Sequence, residues 1–197
     1  KHLVHFFKSL KVKNVDQGIL NNLCQQGYKT VPQIFKLSVS DLQQIDGFQQ
    51  KLAAKIISNI QTGVKNATLV DYMVGSNSFG RGLGEKKLLL ILNQYPEILV
   101  SNLNKKQLKQ QIESVDGFSQ KLSILFVDNI DNFKQFMNSL PIKVSLIYSN
   151  NKKISDLNLE SSPSELLLSD QRFVLTKFRD QSIMDFIKNQ GGIIEDN

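Results

Sequence analysis

The sequence predicts a mainly α fold: a tandem helix–hairpin–helix bundle, followed by a linker and a truncated α/β segment. Three observations carry that prediction. Up to Leu140, Leu, Ile, Val and Phe recur at three- and four-residue spacing in short runs with abrupt connections. The block "IDGFQQKLAAKI" from Ile45 returns as "VDGFSQKLSILF" from Val115, 70 residues later. After Pro141 helical spacing gives way to the alternation of "KVSLIY" and then to the Ser/Asn-rich "SNNKKISDLNLESSPSELLLSD".

Taken in order, residues 19–24, 40–45, 52–60, 86–92, 105–112 and 122–136 read as amphipathic helices. Ser40 ahead of Asp41, and Ser101 or Asn104 ahead of Lys105, are the expected N-caps. "KVSLIY" reads as a strand. The last segment, "RFVLT", "SIMDFIKNQ" and Gly191-Gly192 before "II", reads as a strand–helix–turn–strand start with too few strands to close a sheet, so this domain is expected to be cut short. The division is residues 1–141, a connector at 142–168, and a partial α/β domain at 169–197.

Composition narrows the function. The 197 residues carry a net charge of +6, but residues 1–141 hold 17 Lys/Arg against 10 Asp/Glu while residues 142–197 hold 7 against 8. The basic excess belongs to the helical part and points to a polyanionic partner there. Only Arg81, Arg172 and Arg179 are arginines, a lysine bias that AT-rich codon usage would also produce. No apolar run approaches the ~20 residues of a membrane span, and lysines interrupt the first residues where a signal peptide would be apolar. An intracellular setting is expected: cytoplasm, nucleoid or a viral replication site, with no membrane partner. The single cysteine, Cys24, excludes an internal disulfide framework and a multi-cysteine zinc site within this stretch, and lies in an amphipathic pattern that suits a buried thiol. His2 and His5 have no carboxylate or cysteine at ligand spacing and read as packing or surface residues; Phe126, Phe133 and Phe136 read as core.

The repeated block describes a specific object. A helix ends at Ile45, Asp46-Gly47-Phe48 turns the chain, and a second helix starts near Gln50 or Lys51. Glycine in the turn permits positive φ and close backbone approach. The turn amides and the free first-turn amides of the second helix then point one way, with the helix dipole adding positive potential, which suits a phosphate oxygen. Lys51 and Lys121 are placed to add a second contact, while Phe48 and Phe118 are expected to turn inward as apolar plugs. The second copy offers Gly117 and Phe118 equivalently.

Two further stretches have this shape. "RGLGEKKLLLIL" places Gly82-Leu83-Gly84 before an apolar helix, with Arg81 and Lys86 beside the turn; "VKNVDQGILNNL" places Asn14-Val15-Asp16 at the equivalent point, and Asn and Asp tolerate left-handed backbone best among non-glycine residues. The repeating unit is therefore a pair of hairpins, duplicated. One Gly-x-Gly between helices is usually an ordinary turn. Four such turns in the basic part of the chain point to gripping the sugar-phosphate backbone without reading base edges. The candidate contacts are Gly82, Leu83, Gly84, Lys86, Arg81, Gly47, Phe48, Lys51, Gly117, Phe118, Lys121, Asn14 and Asp16.

These residues resemble one family. "HFFKSLKVKNVDQGILNNLCQQGYKTVPQIFKLSVSDLQQIDGFQQKLAAKIISNIQ" is similar to the stretch that follows the zinc finger of NAD-dependent DNA ligases, with its Gly-Leu-Gly and Gly-Phe-Gly hairpins in the same order. "LVDYMVGSNSFGRGLGEKKLLLIL" resembles the family's Leu-Gly-Ile-x-x-Val-Gly-Glu segment, and "RFVLTKFRDQSIMDFIKNQGGII" the opening of its terminal BRCT domain, with the first strand ending at Thr176. The resemblance runs the whole chain in order. Its departures matter. The first hairpin has Asn14 and Asp16 in place of both glycines, the second glycine is Gln49 and Ser119 in the "DGF" copies, and Lys177 stands where BRCT domains have glycine. The third hairpin is thus expected to make the closest phosphate contacts and the first to be mainly structural.

The resemblance implies the non-catalytic C-terminal portion of an enzyme that seals nicks in duplex DNA during replication and repair. Its partners would be nicked duplex DNA and the ligase's own upstream catalytic domains. NAD, magnesium and zinc belong to the parent enzyme; no cofactor is expected in this chain, which lacks the Lys-x-Asp-Gly nucleophile motif, Gln44 and Ser114 standing two residues before the aspartates. This chain alone is expected to be inactive. Four hairpins with about one phosphate each give a log–log salt slope of roughly −4. Two rivals stay open: a DNA-binding module of another repair protein, such as a nuclease subunit or helicase accessory domain, and a non-enzymatic scaffold whose hairpins are only turns.

Overall fold

Apolar side chains at helical spacing fold the first part of the chain into helices alone. The computed structural model describes residues 1–149, 172–174 and 193–195. The described helices are α1 (His2–Ser9), α2 (Gln17–Gln25), α3 (Val31–Phe35), α4 (Val39–Gln43), α5 (Gln50–Asn66), α6 (Leu69–Ser76), α7 (Glu85–Gln94), α8 (Lys105–Glu113), α9 (Gln120–Asp128) and α10 (Ile130–Ser139). The chain divides into two units, Lys1–Leu157 and Asn158–Asn197.

The first unit is built as two halves, α1–α5 and α6–α10, whose leading helices pack on each other. Gly75 in α6 makes this close: a Cβ there would lie 3.1 Å from Phe6 Cδ2 and 3.3 Å from Ser9 Cβ. His2 and His5 donate from Nε2 to the carbonyls of Ser76 (3.0 Å) and Val74 (2.9 Å), satisfying the C-terminal end of α6. Lys11 Nζ closes the same seam at 3.2 Å from Asp71 Oδ1. Both histidines are thus structural, as expected from their spacing.

Phe6, with no exposed surface, is the hub of the core. Its ring meets Phe7, Phe35, Tyr72 and Phe136 at centroid distances of 5.5, 5.9, 6.2 and 5.6 Å, so four helices converge on one side chain. A second aromatic group joins the α6–α7 turn to the last two helices: Phe79 stacks on Phe126 at 4.9 Å and lies 5.4 Å from Phe133. Phe126 and Phe133 are fully buried, and Phe136 packs partly buried against the core, as their spacing indicates. Cys24 is partly rather than fully buried against the same core.

Three expectations are corrected. The run 122–136 is two helices, because Asn129 breaks it: its Nδ2 donates to the Leu125 carbonyl at 2.8 Å, and its amide turns back to Phe126 rather than continuing the ladder. Ser38, not Ser40, caps α4, exchanging bonds with Asp41 in a capping box. Of the two caps expected ahead of Lys105, Asn104 is the one that closes α8. "KVSLIY" forms no strand. Ile142, Val144, Leu146 and Tyr148 do lie on one side against the core, but the Tyr148 amide donates to the Pro96 carbonyl (2.9 Å), and among the described residues no strand pairs with the segment. Alternation here reports one-sided burial only.

In the second unit, β1 (Arg172–Val174) pairs in parallel with β2 (Ile193–Glu195), Arg172 opposite Ile193. The expected helix between them, Thr176, Lys177 and the connector from residue 150 lie outside the described residues.

Candidate nucleic-acid interface

Four inter-helical turns share one register. Each begins with a residue at positive φ: Asn14 (55°), Gly47 (90°), Gly82 (99°) and Gly117 (77°). The next residue is apolar: Val15, Phe48 and Leu83 are buried, and Phe118 is partly buried. The third is the N-cap of the following helix: Asp16, Gln49, Gly84 and Ser119 for α2, α5, α7 and α9. In both "DGF" copies the phenylalanine amide donates to the carbonyl three residues back, Phe48 to Ile45 and Phe118 to Val115, each 3.1 Å. This β-turn needs positive φ at its third residue, which is why glycine stands at Gly47 and Gly117.

The helix N-termini differ in a way that sorts the hairpins. The helices leading into hairpins two to four, α4, α6 and α8, are closed by capping boxes at Ser38, Thr68 and Asn104. The helices leaving those hairpins, α5, α7 and α9, have no side-chain cap, so their first-turn amides face outward with the positive end of the helix dipole. In α9 the Leu122 amide turns to the Ser119 carbonyl, leaving those of Gln120 and Lys121. Hairpin one is different: Asp16 Oδ1 accepts from the Ile19 amide at 3.0 Å. A carboxylate thus occupies the place that an incoming anion would take.

Lysines follow the same division. The second helical residue is Lys51 in α5, Lys86 in α7 and Lys121 in α9, all exposed, and among the described residues none of the three forms an ion pair. At that position α2 has Gly18. A Cβ at Gly18 would sit 3.3 Å from Asp16 Oδ1, so the carboxylate cap and the missing side chain go together. Lys11 of hairpin one is held by Asp71, and Lys105 and Lys109 both reach Asp128 at 3.6 Å.

Hairpin three combines an exposed Arg81, a positive-φ Gly82 and a Gly84 N-cap around which nothing lies within 4 Å of a Cβ position. Gly84 has ordinary extended backbone (φ −79°), so its glycine matters for clearance rather than conformation. Glu85, exposed in the first turn of α7, is the one carboxylate there and opposes an anion.

The hairpins also brace one another through residues that local patterns do not single out. Asn22 Nδ2 donates to the Asp46 carbonyl at 3.1 Å, tying α2 to hairpin two. Lys87 Nζ lies 5.5 Å from the Phe118 ring centroid, and Gly82 faces Leu122, whose Cδ2 would lie 3.2 Å from an added Cβ. Tyr95 and Ser114 share a hydroxyl hydrogen bond of 2.8 Å.

Among the described residues no three His, Cys, Asp or Glu side chains gather as a metal site, and no helix is long and apolar enough to cross a membrane.

Comparisons with known proteins point one way. The chain is 32% identical to a protein named DNA ligase of Acanthamoeba polyphaga mimivirus over 98% of its own length and 29% of that protein's. It is 23% identical to a protein named DNA ligase of Coprothermobacter proteolyticus, over 96% of the chain and 34% of the relative. A protein of Invertebrate iridescent virus 6 is 26% identical over the whole chain and 29% of its own length. The chain thus spans about a third or less of these relatives. No family model matches, and no solved structure matches.

Proposed function

We propose that the chain grips duplex DNA by its sugar-phosphate backbone, independently of sequence, as the C-terminal DNA-binding portion of an NAD-dependent DNA ligase that seals nicks. The observation that carries this reading is the coincidence, in hairpins two, three and four, of an open helix N-terminus with an exposed lysine one residue inside it. Backbone amides and an ammonium then converge on one phosphate, the geometry that positions a protein on a duplex without reading its bases. The similarity to viral and bacterial proteins named DNA ligase supports the assignment to a nick-sealing enzyme.

On this reading the grip is threefold rather than fourfold. Asp16 closes hairpin one, and its charge repels phosphate, so Asn14 and Asp16 serve the fold. The salt slope follows as about −2.7 for three phosphates, against about −3.6 for four.

NAD, magnesium and zinc suit the parent enzyme. On this reading none of them is held by this chain, whose one cysteine is Cys24 and which lacks Lys-x-Asp-Gly. The chemical steps would fall to the catalytic domains, and this chain would hold the nicked duplex.

The test is Gly84→Asp. Open space at this position lets the turn accept the side chain, and the new carboxylate reproduces the closed state of hairpin one. Affinity for nicked duplex should fall about tenfold with a shallower salt slope. Unchanged affinity and slope would contradict hairpin-mediated binding and favour a scaffold whose hairpins are only turns.

A further inference from the structure

Lys87 follows Lys86 and stands in the sequence as a third cation at hairpin three, beside Arg81 and Lys86. Its ammonium is engaged elsewhere: Nζ lies over the ring of Phe118, 5.5 Å from the centroid. Phe118 is the apolar residue of hairpin four, and it is only partly buried where Val15, Phe48 and Leu83 are buried. Its uncovered face receives the lysine. The reverse contact is made by Leu122, which lies against Gly82 of hairpin three. Lys87 and Leu122 occupy the same place in their helices, the third residue of α7 and of α9. Each hairpin's helix therefore reaches across to the other hairpin's turn. In the first half the equivalent residue of α5 is Leu52, which is 37% exposed.

From this exchange we infer that Lys87 is a positioning residue, which locks hairpins three and four into one rigid unit that takes two phosphates at a fixed spacing. The inference rests on the phosphate-binding reading above. A cation on an aromatic face is held by the ring quadrupole within about 6 Å, and the aliphatic stem of lysine covers apolar surface on the way. Lys87 thus sets the distance between the open ends of α7 and α9 without itself neutralising a phosphate. Lys86 and Lys121, exposed and, among the described residues, without such a partner, do the neutralising.

The experiment is duplex binding by the 197-residue chain as a function of salt, for Lys86→Gln, Lys87→Met, Phe118→Leu and the double variant Lys87→Met/Phe118→Leu. Lys86→Gln should make the slope shallower by about 0.9, the signature of one lost phosphate contact. Lys87→Met and Phe118→Leu should each weaken binding about two- to fivefold with the wild-type slope retained, and the double variant should be no weaker than either single variant. Additive losses, or a slope change of about 0.9 for Lys87→Met, would overturn the positioning role and make Lys87 a phosphate ligand. A Lys86→Gln slope equal to wild type would instead overturn the phosphate-binding reading. The contact is also read without DNA: the Lys87 ε-methylene proton resonances should be shifted upfield by the Phe118 ring and return to ordinary values in Phe118→Leu. Ordinary values in the wild-type chain would sink the lock outright.

Discussion

Asp16 Oδ1 accepts a hydrogen bond from the Ile19 amide at 3.0 Å, and this bond separates hairpin one from the three hairpins that share its backbone path. Opening it should create a fourth site. Asp16→Gly combined with Gly18→Lys removes the carboxylate, gives the new Cβ room and supplies the missing ammonium. The salt slope for duplex binding should steepen by about 0.9. Because glycine is itself a tolerated N-cap, losing the Asp16 cap should cost only about a few tenths of a kcal/mol of stability, measured by denaturant unfolding. An unchanged slope would mean that hairpin one is kept from DNA by its place in the fold rather than by Asp16.

Glu85 sets an acidic group in the first turn of the most open hairpin. It favours the helix dipole of α7 but opposes a phosphate at the same end. Glu85→Gln should tighten duplex binding about two- to fivefold at low salt, with the gain fading as salt screens the charge. Weaker binding would place Glu85 as a structural partner of the turn.

Phe6 holds the two halves together through rings from α1, α3, α6 and α10. Phe6→Ala should cost about 3–5 kcal/mol in denaturant unfolding, because the cavity opens where both halves meet. Leu52→Ala, at a side chain 37% exposed, should cost under about 1 kcal/mol. Equal costs would show that the halves are stabilised separately.

The Asp41 carboxyl accepts from the Ser38 hydroxyl (2.6 Å) and amide (2.8 Å), and these bonds hold it below its ordinary value of 3.8. Because the folded carboxyl is the stronger acid, the stabilisation of α4 is present above pH 3.8 and is lost as pH falls through the lower folded value. An NMR titration of the Asp41 side chain should therefore give a midpoint below 3.8, and Ser38→Ala should raise it. A midpoint at or above the ordinary value would remove this cap from the account.

Local chemistry wrote much of this architecture into the sequence. Glycine at the third position of the "DGF" turns, Asn14 at positive φ, and the lysines of α5 and α9 are each required within a few residues of where they act. The Ser38-x-x-Asp41 spacing was equally readable as a capping box and gives the start of α4 that Ser40 misplaces. Other features depend on distant contacts. Apolar spacing continues through Asn129 from Phe126 to Phe133, so the break between α9 and α10 leaves no mark in the periodicity. The alternation at residues 143–148 specifies a buried side, not a partner strand. Asp16 reads as a residue tolerant of unusual backbone, yet it acts as a cap, and Lys87 meets Phe118 only after two hairpins have packed.

On the proposed reading three open helix ends, each with one lysine, carry the grip on DNA. Its most direct measurement is the salt dependence of duplex affinity for the wild-type chain and for Lys51→Gln/Lys86→Gln/Lys121→Gln together. The wild-type log–log slope should be about −2.7, and the triple substitution should bring it close to zero while thermal unfolding stays within a few degrees. A triple variant that binds with the wild-type slope would contradict the account.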